Sequence, residues 1–378
     1  MPKGLFSQAA TERNVFLDER FLYPEFIPEK LPHRDNELDS LAYCFRPILQ
    51  GRKPMNIFLA GPTGVGKTVC AKYVLRELEQ SHDRAKSIYL NCFEYNSRPS
   101  VLAAIANFIG AVVPRRGLAT DEIFTKLVES LRKCSFTPIV VLDEVDQLML
   151  TEDNAKLLYD LLRIVEYEKL RLGIVMISND SELTAKLDPR IRSSLAEQTL
   201  IFEPYTPSQL KSILSERAEK AFVKGALEKD VIGVAAANAG KSGGDCRVAL
   251  ESLLKAGRAA ERANTGKVTV ADLKGAFADV GAVSLLKGLK HLAKDELELL
   301  RIIAQSQPVL SGKIHEIYSS KKGNELKERR LREILAKLEK QGLVLVRAIS
   351  LGNMGKSKEY SVSAPKDMLL KEIDLQSK

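Results

Sequence analysis

GPTGVGKT, residues 61–68, is the stretch on which the reading of this chain turns. NIFLAG (56–61) precedes it as a short apolar run, and VCAKYVLRELEQ (69–80) follows with the period of an amphipathic helix. GxxxxGK[ST] between a strand and a helix is the pattern of a phosphate-binding loop. Gly61, Gly64 and Gly66 let backbone N–H groups curl around phosphate oxygens. Pro62, Thr63, Val65 and Val69 complete the loop and enter the helix, whose first turn adds partial positive charge. Lys67 is expected to reach the β- and γ-phosphates, and Thr68 to ligate Mg²⁺. The alternative is a glycine-rich turn without a ligand; the strand-loop-helix context argues for ATP and Mg²⁺.

The same logic extends downstream. IVVLDEVD (139–146) is an apolar run ending in two carboxylates, which puts Asp143 and Glu144 at the end of a buried strand. Asp143 is expected to hold Mg²⁺ through its water shell, and Glu144 to polarise an attacking water. LGIVMISN (172–179) ends in Ser178 and Asn179, and an amide there could position that water. Strand runs at 56–61, 87–92, 138–146 and 172–179 alternate with helical patterns at 69–80, 101–110, 121–133 and 154–166. Apolar runs too short for helices, alternating with helical periods, predict a parallel α/β sheet. A further helix is expected over 35–49.

After about residue 200 the strands stop. Helical patterns at about 207–222, 228–239, 245–263 and 270–280 predict a small all-helical domain. From about 286 come three helices and a hairpin, DELELLRIIAQ, GKIHEIYSS and ELKERRLREILAKLEKQ, then LVLVRAIS and KEYSVS. That order is a winged-helix variant of the helix-turn-helix.

Composition fits. Two or three domains suit 378 residues, and 45% hydrophobic with 28% charged residues is ordinary for a soluble protein. No run approaches the roughly 20 apolar residues that span a bilayer, and the N-terminus lacks a secretory pattern. A soluble, cytoplasmic, nucleoid-associated protein without membrane contact is expected. The five cysteines and four histidines show no zinc spacing and read as reduced thiols and ordinary side chains. Net charge is +8, and residues 290–378 hold 18 Lys and Arg against 12 Asp and Glu. Positive charge concentrated at one end suggests a nucleic-acid partner.

In this combination the chain resembles the archaeal origin-recognition and replication-initiator proteins. These are AAA+ ATPases related to the eukaryotic origin recognition complex and its loading factor. The resemblance runs from about Phe16 to the C-terminus. HRDNEL (33–38) is similar to the family's segment beside the adenine, which implies nucleotide contacts from His33 and Arg34. GPTGVGKT matches its Walker A motif and VVLDEVD its Walker B. Asn179 falls at sensor 1, and LDPRIRSSL (187–195) is similar to box VII. GGDCRVAL (243–250) is similar to sensor 2, with Arg247 reaching the nucleotide from the lid. The resemblance implies a RecA-like AAA+ core (1–203), a helical lid (204–284) and a winged helix (285–378). Box VII departs from relatives that act in trans: after Arg190 and Arg192 it carries Ser193 and Ser194. Arg190 is the remaining candidate catalytic arginine. Lack of an arginine finger, which can supply roughly 10³–10⁵ in rate, implies slow hydrolysis and a switch rather than a motor.

The DNA-facing candidates follow. In 325–341, Leu331, Ile334, Leu335 and Leu338 share one helical face. Arg329 lies opposite, and Lys327, Arg330 and Arg332 flank it; these are expected to meet duplex phosphates. Lys356 and Lys358 sit beside a glycine-rich hairpin tip, suited to backbone and minor groove. VPRRGL (113–118) is similar to the family's initiator-specific insertion, with Arg115 and Arg116 in a rigid basic turn. Without Trp or aromatic interleaving, duplex is favoured over single strands. The implied partners are double-stranded origin DNA, the replicative MCM helicase and other initiator paralogues. Two rivals remain: a transcription regulator with a vestigial ATPase, and a clamp-loader or signalling ATPase. Intact Lys67, Asp143, Glu144 and Asn179 weigh against the first, the basic winged helix against the second.

Overall fold

Residues on a strand point alternately to opposite faces, and in the first unit both faces are apolar. On β1 (Ile57–Ala60), β3 (Thr137–Asp143) and β4 (Gly173–Ser178) every residue is buried. Ile57, Leu59, Ile139, Val141, Val175 and Ile177 face one side, against α1 (Asp35–Leu49) and α2 (Lys67–Ser81). Phe58, Val140, Leu142, Ile174 and Met176 face the other. There they pack on α3 (Arg98–Phe108), α4 (Thr120–Lys133) and α5 (Glu152–Glu166). Each fully buried Leu, Ile or Phe of this two-sided core contributes about 1.5–3 kcal/mol.

The computed structural model describes residues 14–114, 117–150, 152–186, 188–189, 192, 198–277, 289, 292–322, 327–340, 343–350, 356–363 and 366–376. The five-stranded sheet has the order β2-β3-β4-β1-β5, with β2 at Ala85–Asn91 and β5 at Gln198–Ile201. All its pairings are parallel. β5, which pairs Ile57 with Gln198 and Ala60 with Ile201, is an edge strand absent from the sequence expectation. After a short helix α6 (Leu183–Lys186) and β5 come α7 (Pro207–Ala221), α8 (Val231–Lys241) and α9 (Cys246–Arg262). Thr206 and Gln209 form a capping box at α7, with Pro207 at its first position, a start signal written in the sequence. α7, α8 and α9 are three of the four helices expected in the lid. An N-terminal strap from Val15 binds the lid: the Leu17 and Asp18 N–H groups donate to the Ala221 carbonyl, and Phe16 stacks on Phe222.

The chain divides into two compact units, Met1–Val268 and Thr269–Lys378; the expected core–lid boundary at 203 falls within the first. The second unit contains α10 (Lys294–Ser306), β6 (Val309–Leu310), α11 (Ser311–Lys322), α12 (Glu328–Lys340), β7 (Val344–Ser350), β8 (Lys356–Val362) and α13 (Lys366–Gln376). An antiparallel sheet of order β6-β8-β7 closes a core containing Leu300, Ile303, Leu335 and Tyr360. This is the expected winged helix, with two additions: the two-residue β6, and α13, which buries Leu369 and Ile373. No described helix is long and apolar enough to cross a membrane.

Candidate nucleotide site and nucleic-acid interface

The sheet order puts β1 between β4 and β5, and their C-terminal ends open onto one crevice, where α/β sheets take ligands. A cavity of about 380 Å³ lies there. The phosphate loop crosses it between β1 and α2. Gly66 caps α2 with φ 97°, a left-handed conformation that a side chain would strain. Gly64 has φ 75°, and a Cβ there would meet the Asp245 carboxylate at 1.6 Å. Asp245 caps the lid helix α9 through the Arg247 N–H at 2.8 Å, while the Cys246 N–H donates to the Gly64 carbonyl at 3.2 Å. The missing side chain at Gly64 thus lets the lid touch the loop.

Lys67 is buried and points along the loop. Its Nζ donates to the carbonyls of Gly61 (2.6 Å) and Pro62 (2.7 Å) and to Asn179 Oδ1 (3.0 Å). Burial lowers its pKa. The Thr68 hydroxyl donates to Asp143 Oδ2 at 2.7 Å. Beside it, Glu144 has φ 57°, an uncommon conformation for a residue with a side chain, and its N–H is held by Asp143 Oδ1 at 2.9 Å. The Glu144 carboxylate accepts a hydrogen bond from the Asn179 amide. Burial, then the charges of Asp143 and Asp146, push the Glu144 pKa up to about 7, against the pull of Lys67 and Arg247. Lys67, Thr68, Asp143, Glu144 and Asn179 therefore form one connected hydrogen-bond network. Arg247, half-exposed at the start of α9, lines the same cavity.

His33 and Arg34 are placed differently from the expectation. The cavity wall is drawn from Pro24–Pro32, just before them. Arg34 lies behind the loop: its guanidinium donates to the Val65 carbonyl at 2.8 Å and the Glu203 carbonyl at 2.7 Å, and sits 4.1 Å from the Tyr205 ring centroid. It clamps the loop's back rather than entering the cavity. His33 is exposed in a turn with φ 65°.

The structure adds residues that motif reading missed. Arg217 on α7 is buried, donates to the Tyr23 carbonyl at 3.2 Å and lies 4.7 Å from the Phe26 ring centroid. With Ile213 and Leu250 it forms the lid side of the cavity. The visible signal was weak: a lone arginine among apolar positions of a lid helix. Arg190, Arg115 and Arg116 lie outside the described residues, as do the hairpin tip 351–355 and the side chain of Lys356.

Among the described residues, no group of three or more His, Cys, Asp or Glu side chains is placed to hold a metal ion by itself. The Thr68 hydroxyl and Asp143 carboxylate are instead a pair of hard oxygen donors beside a phosphate loop. That fits Mg²⁺, which takes one or two protein oxygens and fills its shell with phosphate and water.

In the second unit, α12 buries Leu331, Ile334, Leu335 and Leu338 and turns its arginines outward. Arg329 pairs with Glu333 at 3.2 Å, Arg330 with Glu333 at 3.4 Å and Arg332 with Glu328 at 2.9 Å, all at exposed sites. Lys327 is exposed at the helix start, and Lys358 on β8 is 4.0 Å from Glu339. Lys337 turns inward to buried Glu296 on α10 at 2.7 Å. Burial raises the Glu296 pKa, but that contact and the Ala293 N–H together bring it below the usual carboxylate value.

A lid that returns onto the phosphate loop, above a parallel sheet of this order, places the first unit among AAA+ ATPases; the second unit is a winged helix. Family models agree: an AAA domain matches residues 51–187 and a Cdc6 AAA+ ATPase-type lid domain matches 211–278. The chain is 36% identical over 370 residues to ORC1-type DNA replication protein 1 of Aeropyrum pernix, covering 94% of each. It is 34% identical over 377 residues to the ORC1-type DNA replication protein of Pyrococcus abyssi, covering 95% of this chain and 90% of that one. The ORC1 protein of Aeropyrum pernix solved in complex with DNA matches with a TM-score of 0.80 and 34% identity, over 96% of this chain and 97% of that one. The chain belongs to the archaeal Orc1/Cdc6 family of AAA+ DNA replication initiators.

Proposed function

We propose that this chain is an ATP-dependent origin-binding initiator that marks duplex DNA, helps recruit the replicative MCM helicase, and uses slow hydrolysis as a switch. The observation that carries the reading is the likeness, across nearly the whole chain, to an ORC1 protein solved with DNA. In this reading Lys67 exchanges its contacts with Gly61, Pro62 and Asn179 for phosphate oxygens. Gly61, Gly64 and Gly66 offer their N–H groups, while the strap before Pro32 and Arg217, Ile213 and Leu250 enclose the nucleoside. Mg²⁺ at Thr68 and Asp143 would neutralise phosphate charge. Glu144, steered by Asn179, takes a proton from the attacking water. Arg247 senses the nucleotide from the lid, so ATP and ADP hold lid and core in different relations. Arg190 is the candidate for a catalytic arginine.

Duplex binding falls to Lys327, Arg329, Arg330, Arg332, Lys356 and Lys358 in the winged helix, and to Arg115 and Arg116 in the first unit. The ion pairs that restrain the α12 arginines are surface pairs worth about 0–1 kcal/mol each, so phosphates can replace their carboxylates. The test is fluorescence anisotropy of the ATP-loaded protein on two labelled duplexes. One carries the intergenic sequence upstream of its own gene; the other is scrambled. Tighter binding to the genomic duplex by about tenfold or more, ~1.4 kcal/mol, is expected. Equal, salt-sensitive binding to both would leave a nonspecific DNA ATPase.

A further inference from the structure

Asp143 ends β3, and its carboxylate is gripped by three donors. Oδ1 accepts the Glu144 N–H at 2.9 Å, and Oδ2 accepts the Thr68 hydroxyl at 2.7 Å. The third donor is the Tyr89 hydroxyl, which makes a short hydrogen bond to the same Oδ2. Glu144 and Thr68 belong to the two motifs; Tyr89 belongs to neither. It lies on β2, whose register pairs Tyr89 with Val141 and Asn91 with Asp143. Tyr89 and Asp143 therefore point to one face of the sheet, a diagonal step apart, and a phenol is long enough to span that step. Lys72, one helical turn beyond Thr68 on α2, places its Nζ 3.9 Å from the Tyr89 ring centroid and fixes the ring from the other side.

We propose that Tyr89 is a positioning residue for the cation site: its O–H locks the Asp143 carboxylate in the rotamer that faces the Thr68 hydroxyl. It touches no reacting atom and acts through Asp143. Two oxygens must be presented together for Mg²⁺, and an Asp at a strand end rotates about its own bonds unless something holds it. Partners that orient a metal's ligands typically change metal affinity by about 10–100-fold when removed. The inference rests on reading Thr68 and Asp143 as the Mg²⁺ pair.

Tyr89→Phe keeps the ring and the Lys72 contact and removes only the O–H. The readout is binding of a fluorescent ADP to the full-length chain, by titration with Mg²⁺ and separately in excess EDTA. Asp143→Asn serves as the reference, and circular dichroism checks folding. The Mg²⁺ midpoint should rise about tenfold in Tyr89→Phe, while ADP affinity in EDTA stays within about twofold of wild type. A wild-type midpoint in Tyr89→Phe would overturn the proposal. So would an equal loss of affinity with and without Mg²⁺, which marks a merely structural role. A wild-type protein whose ADP affinity ignores Mg²⁺, like Asp143→Asn, would remove the Mg²⁺ reading of Thr68 and Asp143 and this inference with it.

Discussion

Lys67 and Arg329 are both proposed to meet phosphate, yet they are held in opposite ways. Lys67 is 6% exposed and has three oxygen partners fixed by strand ends and a glycine loop. The Arg329 side chain is 92% exposed and leans on one carboxylate a turn away. The contrast follows from the two tasks. Breaking a phosphate bond needs a water, a base and a cation within tenths of an ångström, so each must be positioned by something rigid. Holding a duplex needs charge density along a flexible polyanion, for which mobile arginines on a well-anchored helix suffice. In the winged helix the rigidity lies beneath the surface, in the buried stripe of α12 and the Glu296–Lys337 contact.

If that contrast is right, conservative changes in the first region should be severe. Glu144→Gln is expected to lower ATP turnover by about 10²–10⁴-fold. Nucleotide affinity should stay within about twofold; a single-turnover assay beside equilibrium binding checks both.

In the second region, effects should scale with charge removed. Replacing Arg329, Arg330 and Arg332 together by Ala should reduce the slope of log binding constant against log salt by about 2–3. ATP turnover without DNA should be unchanged. A salt titration by anisotropy reads the slope, and loss of turnover in the variant would contradict the separation of tasks.

Below the surface the winged helix should be as intolerant as the ATP site. Lys337→Met leaves the buried Glu296 carboxylate with the Ala293 N–H as its remaining hydrogen-bond partner among the described residues and should destabilise the second unit by about 2 kcal/mol. Calorimetry of the full-length chain would show the lowered transition. The smallest effect is expected from Glu333→Gln, which frees Arg329 and Arg330. Stability should move by no more than about 0.5 kcal/mol, with duplex binding slightly tighter; denaturant unfolding and anisotropy measure the two.

What the sequence made legible follows the same division. β1, β3 and β4 are buried on both faces, so each is built around an apolar run too short for a helix. β5, QTLI, alternates between partly buried and exposed at the sheet edge and carries no such run. α13 had a signal in Leu369 and Ile373, four residues apart, but stands alone after the hairpin where no expected helix adjoined it. The phosphate loop and the Asp143–Glu144 pair were readable because each is contiguous and chemically constrained. Tyr89, Arg217 and the Pro24–Pro32 wall come together only through strand register and lid packing, which leave no local motif. Arg34 carries a motif resemblance, yet its buried guanidinium is spent on the Val65 carbonyl at the back of the loop.

In the proposed switch, the nucleotide site governs the grip on duplex DNA. Its most direct test is the duplex dissociation constant of the Glu144→Gln protein, loaded with ATP or with ADP at equal ionic strength. A difference of about tenfold or more, ~1.4 kcal/mol of coupling, is the predicted result. Dissociation constants equal within about twofold would contradict it and leave an ATPase and a DNA-binding module that merely share a chain.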